Sequence, residues 1–497
     1  MKTAALPSML VAVLMFASLV QADDVKSPAR RPNIVIVLCD DLGYGDLACY
    51  GHPVIQTPNL DRFAAEGVRL TNCYSAGANC SPSRTGLMTG RTPYRVGVQQ
   101  QIPFLSPMHV RAQEITIAKL LRNAGYATCH AGKWHLNGMF NLPGQPTPAD
   151  LGFDHSLGTQ NNALPSHQNP YNFVRNGIPV GPLEGYASQL VVDEVTRWLT
   201  AERDSAKPFF LYVAFHEPHE PIRTAVQFAE PYDYPDDPSR RAYYGNVTQM
   251  DHAFGRLMKL LDDLGESRDT LVWFTSDNGP ERTRWHNAGS PGPLRASKGH
   301  MYEGGIRVPG IVRWPKQIEA GRVSDVPVCG TDVLPTICEI TGIAPPADRK
   351  LDGESVAALL RGGEFRRARP LYWQFNYALS EPKLAMRDGD WKILARLTET
   401  PTGKRTTIDD TTNRILKTAR PAGFELYNLK TDVGEQHDLT TAEPAKLAEL
   451  QAKLLERFLD VQAETPTWPH FEDPGYEAPR IARPAYTAKP LPAPSSK

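Results

Sequence analysis

An alternation of short apolar runs with amphipathic stretches through the first two thirds of the chain constrains the fold most. Asn33–Cys39 is a continuous apolar run, which is typical of a strand that is buried on both faces of a parallel sheet. Strand patterns recur at Tyr126–Ala131, Pro208–Phe215 and Thr270–Ser276, and helical patterns fall at Leu60–Glu66, Ile115–Asn123, Tyr186–Glu202 and 250–264. This alternation predicts an α/β fold with a mostly parallel sheet and helices on both of its faces.

The pattern changes after about Phe365. Short strand patterns then follow one another, and a helical pattern covers Ala442–Asp460; the strands are expected at Pro370–Asn376, Lys383–Arg387, Trp391–Arg396 and Phe424–Asn428. The sequence thus predicts a large α/β unit at 32–364 and a smaller antiparallel sheet with one helix at 365–465. A proline-rich tail over 466–497 is expected to run extended across the surface.

Charge and targeting signals exclude some function classes. The chain of 497 residues carries 54 Lys and Arg against 55 Asp and Glu, so no general affinity for nucleic acid or an acidic membrane is expected. Residues 1–22 are predicted to be a signal peptide, with Lys2, an apolar run from Leu10 to Val20 and a small residue at Ala22. That run is too short to span a bilayer, and the protein is expected to be secreted or periplasmic. No disulfide framework is predicted from the seven cysteines.

Oxygen-bearing side chains follow two of the predicted strands. Asn33–Cys39 runs into Asp40 and Asp41, and Thr270–Ser276 runs into Asp277 and Asn278. Catalytic groups of open α/β sheets cluster at such carboxyl ends, and adjacent carboxylates repel unless a cation offsets them. An all-oxygen set suits Ca²⁺, or Mg²⁺ in a tighter cavity, whereas zinc favours His or Cys, which neither cluster offers. The alternative is that each cluster only caps a helix or forms a turn.

The run from Cys80 to Arg84 combines a possible nucleophile, a helix start and a positive charge. Pro82 and the flanking serines favour the first turn of a helix, so Cys80 is expected at a helix N-terminus. Free N–H groups there attract an anion, and Arg84 adds a planar donor fork that suits a tetrahedral oxyanion. A partly buried cysteine beside a turn is the plainer alternative.

Basic and imidazole side chains follow two other strands. Lys133 and His135 come after Tyr126–Ala131, and His216 and His219 come after Pro208–Phe215. Alone, each pattern is also typical of surface lysines and of histidines with structural hydrogen bonds. The loop from 158 to 185 is a candidate for substrate contacts, through Asn161, Asn162, His167, Asn172 and Arg175.

Together these motifs resemble one family. Cys80-x-Pro82-Ser83-Arg84, followed by Thr-Gly-Arg at 89–91, resembles the signature of the type I, formylglycine-dependent sulfatases. The segments LCDDLGYGD, GKWH and TSDNGPE match the same family in the expected order. The resemblance extends from about Pro32 to Leu439 and looks closest to arylsulfatase A and N-acetylgalactosamine-6-sulfatase relatives. It implies an alkaline-phosphatase-like fold, in which 32–364 is the catalytic domain.

The resemblance also implies how the site is built. In this family the cysteine at position 80 is converted by a maturase to formylglycine, whose hydrated aldehyde is the nucleophile. One Ca²⁺ (or Mg²⁺) would be held by the side chains of Asp40, Asp41, Asp277, Asn278 and position 80.

Roles for the basic residues follow from the same resemblance. Arg84, Lys133 and Lys298 would neutralise the sulfuryl oxygens and the nucleophile, and His135 would assist the hydrated aldehyde. His219 is assigned as the acid that protonates the leaving alcohol. His216 is the runner-up for that role and would otherwise contact substrate, with Asn162 and His167.

The resemblance predicts a sulfuric ester hydrolase acting on a sulfated carbohydrate or another small sulfate ester, including aryl sulfates. A phosphodiester or phosphonate monoester hydrolase of the same superfamily is one alternative. A non-catalytic glycan-binding protein whose Cys80 is never matured is a second. A cysteine hydrolase using the Cys80 thiol with His135 is a third, and thiol alkylation would reveal it.

Overall fold

The apolar run at the start of the chain forms the central strand, β1 (Asn33–Asp40), and every residue of this strand is buried. Alternate side chains from Ile34 to Leu38 belong to one hydrophobic cluster, and those from Val35 to Cys39 belong to another. Because the sheet is covered on both faces, side chains on both faces of the strand are buried, and its sequence is a continuous apolar run.

The computed structural model describes Met1 and residues 31–491, and the chain from Pro32 onward forms one unit. Apart from Met1, the predicted signal peptide lies outside the described residues. The strands that follow β1 are β2 (Val68–Leu70), β3 (Cys73–Tyr74), β4 (Ala127–Lys133), β5 (His155–Thr159), β6 (Val174–Arg175), β7 (Ile178–Pro179), β8 (Phe209–Pro218), β9 (Thr270–Ser276), β10 (Gly310–Arg313), β11 (Arg322–Ser324), β12 (Val328–Cys329), β13 (Leu371–Gln374), β14 (Leu384–Asp388), β15 (Trp391–Leu397) and β16 (Pro421–Asn428).

The large sheet has the strand order β11-β2-β10-β9-β1-β8-β4-β5-β6-β7. Its centre, from β9 to β5, is parallel throughout, which confirms the predicted mostly parallel α/β fold. Strand β10 is antiparallel to both of its neighbours, and β6 and β7 add an antiparallel edge at the other end. These outer strands are two to four residues long, too short to give a period in the sequence.

Helices cover both faces of this sheet. One hydrophobic cluster includes residues of α2, α4 and α9, and the other includes residues of α1, α5 and α7. No helix in the described part of the chain is long and apolar enough to cross a membrane. The helices are α1 (Pro58–Ala65), α2 (Cys80–Thr89), α3 (Pro93–Val96), α4 (Ile117–Asn123), α5 (Ala187–Arg197), α6 (Val226–Ala229), α7 (Pro238–Asp263), α8 (Glu303–Ile306), α9 (Val333–Thr341), α10 (Ala357–Leu360), α11 (Asp410–Thr418) and α12 (Pro444–Glu464).

The predicted small antiparallel sheet is present, with the order β13-β14-β15-β16. Asp388 pairs with Trp391, so β14 and β15 form a hairpin with a two-residue loop in which Gly389 has a φ of +60°. Helix α12 packs on this sheet through Leu450, Leu454 and Phe458, whereas Leu455, expected on the same face, is exposed. Helix α11, between β15 and β16, was not predicted.

A buried charge cluster joins the small sheet to the rest of the chain. Lys392 of β15 lies 2.9 Å from Glu303 of α8 and 2.8 Å from Glu435, and all three side chains are fully buried. Although burial opposes ionisation, Lys392 and two arginines lower the pKa of Glu303 to about 2. Burial raises the pKa of Glu435 to about 7. The lysine therefore compensates carboxylates that would otherwise be buried without a partner.

We predict that Lys392→Met destabilises the protein by about 3–5 kcal/mol, because it leaves buried carboxylates uncompensated. Urea unfolding followed by circular dichroism measures this change. The control is Lys259→Met, which removes an exposed lysine paired with Asp263 on α7 and should cost about 0.5 kcal/mol or less. Equal urea midpoints of unfolding for Lys392→Met and Lys259→Met would contradict this role of Lys392.

Candidate active site at the carboxyl ends of the parallel strands

Four parallel strands deliver polar side chains to the same edge of the sheet. Asp40 is the last residue of β1, Lys133 is the last residue of β4, and Asp277 directly follows β9. The end of β8 supplies His216, and His219 comes just after this strand. Residues predicted from separate motifs are therefore brought together by the sheet topology.

The acidic residues form a compact, buried group. The backbone N–H of Asp41 donates to Oδ1 of Asp277 at 3.2 Å, and Nδ2 of Asn278 donates to Oδ1 of Asp41 at 2.6 Å. Oδ1 of Asp40 and Oδ1 of Asn278 are buried and accept no hydrogen bond. Burial raises the pKa of Asp41 to about 7, although Lys298 and His219 lower it. Buried carboxylate and amide oxygens that accept no hydrogen bond fit a hard divalent cation.

Two cations hold the acidic group in place. Nζ of Lys133 lies 2.5 Å from Oδ2 of Asp40. Arg84 of α2 donates from Nε and Nη2 to Oδ2 of Asp277, at 3.0 and 2.8 Å, and from Nη1 to the backbone oxygen of Lys133 at 2.9 Å. Burial alone would raise the pKa of Asp40, but Lys133, His219 and Arg84 hold it well below its usual value. The N–H groups of Arg84 thus form hydrogen bonds to the acidic group and to the β4 backbone.

A second set of charges surrounds Asp41. Nζ of Lys298 lies 2.8 Å from its Oδ2, and Nε2 of His219 lies 3.6 Å from the same oxygen. Glu281 lies 3.4 Å from Lys298 and 3.7 Å from His219. Despite burial, Lys298 and His219 hold the pKa of Glu281 well below its usual value. Ligand atoms of Asp40, Asp41 and His219 lie within 4.8 Å of one another, so the imidazole also borders the oxygen group.

Cys80 is the first residue of α2, as its flanking residues predicted. The preceding Asn79 is extended, and its side chain does not cap the helix, which leaves the N–H groups of the first turn free of that partner. Cys80 is 4% exposed, and burial raises the pKa of its thiol although Lys133 and Lys298 lower it. A thiol held protonated is a poor nucleophile, which argues against a cysteine hydrolase.

The three histidines have different surroundings. His135 is buried, its Nε2 lies 3.1 Å from the backbone oxygen of Ile102, and its Nδ1 has no hydrogen-bond partner. Burial, with Lys133, holds the pKa of His135 well below its usual value, which favours the neutral imidazole. His216 is also buried, with Nε2 2.8 Å from Oγ1 of Thr159. The His219 side chain is 12% exposed, so it is the more open member of the pair.

In the loop after β5, most of the residues that were predicted to contact substrate instead contact other residues of the protein. Arg175 pairs with Glu194 of α5 at 2.8 Å, and Asn172 hydrogen-bonds to Leu164 and Asn162. His167 is buried and packs beside His216, with ring centroids 6.3 Å apart. Burial lowers the pKa of His167 to about 3. Asn161 and Asn162 instead face the C-terminal segment.

Three charged residues near the site were not singled out from the sequence. Glu281 lies four residues after Asp277 in the same loop, and this proximity was the available signal. Glu477 accepts hydrogen bonds from Nδ2 of Asn161 at 2.6 Å and Nδ2 of Asn162 at 3.1 Å. Arg405 contacts Asn79, directly before Cys80. The last two come from distant parts of the chain, where no local pattern marks them.

The chain matches known proteins over most of its length. The Sulfatase family model matches residues 32–343, and the model for the C-terminal region of N-sulphoglucosamine sulphohydrolase matches residues 296–402. Human arylsulfatase A is 35% identical, over 87% of this chain and 89% of the relative. The N-acetylgalactosamine-6-sulfatase of Canis lupus familiaris is 36% identical, over 69% of this chain and 68% of the relative.

Solved structures agree with these matches. The crystal structure of Ps i-CgsB in complex with k-i-k-neocarrahexaose has a TM-score of 0.75 at 26% identity, covering 90% of this chain and 97% of that one. The PsFucS1 sulfatase from Pseudoalteromonas sp. has a TM-score of 0.72 at 25% identity, covering 89% and 92%. The predicted resemblance is confirmed, and the chain belongs to the sulfatase family of hydrolases.

Proposed function

We propose that this sulfatase removes sulfate from a sulfated carbohydrate, or from an aryl sulfate, with a formylglycine made from Cys80 and one bound Ca²⁺. The observation that carries the proposal is the placement of Cys80 at the N-terminus of α2, beside Lys133 and Lys298. Oxygen ligands from two strand ends lie in the same buried group.

Asp40, Asp41, Asp277, Asn278 and position 80 are the proposed ligands of the cation. Oδ1 of Asp40 and Oδ1 of Asn278 are buried without a hydrogen-bond donor, which supports this assignment. When bound, Ca²⁺ supplies positive charge that offsets the negative charge developing on the sulfuryl oxygens. Mg²⁺ would serve the same purpose in a tighter arrangement.

A hydrated formylglycine supplies two hydroxyls on one carbon, of which one attacks sulfur and the other allows the sulfate to be expelled. Lys133 and Lys298 bind the anionic groups around position 80, and their amines lie in an enclosed site where charge pairs are strong. Arg84 acts mainly by fixing Asp277, since its donors already contact that carboxylate and the β4 backbone.

Proton transfers are assigned to two histidines. The neutral, buried His135 has a free Nδ1 with which to accept the proton of the second hydroxyl. His219, which borders Asp41 and Glu281 and is partly open, is assigned as the donor to the departing alcohol. His216 is less suited to that role because its ring is enclosed and bonded to Thr159.

The proposed substrate class is a sulfated glycan or a small sulfate ester. Two relatives are described as an N-acetylgalactosamine-6-sulfatase and as a structure in complex with k-i-k-neocarrahexaose, which supports a carbohydrate substrate. We further propose a secreted or periplasmic location, from the signal-peptide pattern at 1–22, and a dependence on a formylglycine-generating maturase.

Formylglycine conversion is tested by mass spectrometry of the peptide that contains position 80. We expect the cysteine sulfur to be replaced by an aldehyde oxygen in active protein, and Cys80→Ala to lose sulfatase activity. Cys49→Ala, which alters another free cysteine, is the matched control and should remain active. Full activity in protein whose Cys80 thiol is intact, or inactivation by iodoacetamide that maps to alkylation of Cys80, would refute the assignment.

The roles of the two histidines after β8 are separated by leaving-group dependence. If His219 protonates the alcohol, His219→Ala should lower kcat/KM for a sugar sulfate by about 10²–10⁴-fold. Its effect on nitrophenyl sulfate should be much smaller, because that leaving group needs little protonation. The exposed His437 provides the control variant His437→Ala. Equal losses of kcat/KM on both substrates in His219→Ala would show that the assignment is wrong. So would a loss in His216→Ala that is large for the sugar sulfate and small for nitrophenyl sulfate.

A further inference from the structure

Arg405 reaches the site from the smaller, C-terminal part of the fold. It lies in the loop between β15 and α11, and this loop is tied to the C-terminal segment by paired backbone hydrogen bonds between Ile408 and Phe471. Its Nη2 lies 2.7 Å from the side-chain amide of Asn79, which accepts a hydrogen bond when its oxygen faces the guanidinium. Asn79 directly precedes Cys80, so the guanidinium lies close to the proposed nucleophile.

The described part of the chain supplies no ion-pair partner for the charge of Arg405. Among the described residues, no carboxylate lies within ion-pair distance of its guanidinium, and its Nε is enclosed without a hydrogen-bond partner. By contrast, Arg84 and Arg95 are paired directly with Asp277 and Asp352. Burial lowers the pKa of Arg405, and the acidic groups that oppose this effect are Cys80, Glu281 and Asp41, all at the site. Arg405 is half-buried, and a guanidinium that is partly removed from water without an ion pair is costly unless a ligand pairs with it.

The packing of Arg405 leaves its donor edge available. One face of the guanidinium lies over the ring of Phe375, 4.9 Å from the centroid, which fixes the plane without using the N–H groups. A planar fork held in this way suits bidentate contact with a carboxylate or a sulfate. Asn79 itself lies 3.2 Å from the side chain of Gln101, so the group that Arg405 contacts is a neutral amide and not a carboxylate.

We propose that Arg405 binds a second anionic group of the substrate, a carboxylate or a further sulfate, next to the ester that is cleaved. The inference rests on the proposed sulfatase reaction and narrows its substrate class to saccharides with at least two negative charges. Arg405 acts here as a specificity residue, since the reacting ester is assigned to Lys133, Lys298 and the cation.

The test compares three saccharides that share one scissile sulfate ester. The first is a monosulfated hexosamine with no other charge, the second carries an additional sulfate, and the third links a uronate to the monosulfated hexosamine. For Arg405→Ala, the ratio of kcat/KM for the doubly charged to the singly charged saccharide should fall by about 10- to 100-fold. Arg405→Lys should restore only part of the ratio, because a lysine lacks the planar fork.

Lys404→Ala is the matched control. It removes an exposed positive charge from the adjacent position of the same loop and should keep the wild-type ratio. A ratio that falls for the saccharide with the additional sulfate identifies the second group as a sulfate. A ratio that falls for the uronate-linked saccharide identifies it as a carboxylate. Equal losses on all three saccharides in Arg405→Ala, or an equal change of the ratio in Lys404→Ala, would overturn the subsite alone. Wild-type protein that hydrolyses no sulfate ester would overturn the proposed function and the subsite together.

Discussion

The buried ion pairs that link β1, β4, β9 and α2 are the constraint on which the site depends. Asp40 is held by Lys133, and Asp277 is held by Arg84, whose guanidinium also binds the β4 backbone. Such pairs add little net stability over apolar residues of similar volume, yet the loss of one partner is costly. Their presence fixes three strand ends and one helix start relative to each other.

The structure gives Arg84 a different partner from the one that its motif indicates. From the sequence, a guanidinium four residues after Cys80 was expected to meet the sulfate directly. In the structure its donors meet Asp277 and the backbone oxygen of Lys133, so it orients a carboxylate of the oxygen group. By contrast, Lys133 pairs with Asp40, and Lys298 pairs with Asp41 and Glu281, and each ammonium carries three N–H donors.

The sequence predicted the parts of the structure that leave a local signal. The run Asn33–Cys39 revealed a strand buried on both faces, and the acidic residues after it were placed at a strand end by topology rules. The outer strands, such as β2 and β11, are too short to produce a period, so they were missed. The fold class and the position of the acidic residues after β1 were therefore predictable without any knowledge of long-range contacts.

The remaining site residues depend on contacts between distant segments. Glu477 reaches Asn161 across more than three hundred residues of sequence, and Arg405 reaches Asn79 in the same manner. Neither residue lies in a repeated or periodic pattern, so only the packed chain reveals them. The resemblance alone favours His219 over His216 as the proposed acid, and the structure adds that His216 is enclosed and hydrogen-bonded to Thr159 whereas His219 is partly exposed.

Calcium content tests the central claim most directly, namely that the oxygen group at the strand ends is a hard-cation site. Elemental analysis of purified, dialysed protein should find one calcium per chain in the wild type and in the control Asp263→Ala, which alters an exposed carboxylate of α7. Asp277→Ala should lose the calcium, together with the rise in Tm that added Ca²⁺ gives the wild type. Stoichiometric zinc in the wild type, or undiminished calcium in Asp277→Ala, would contradict the account.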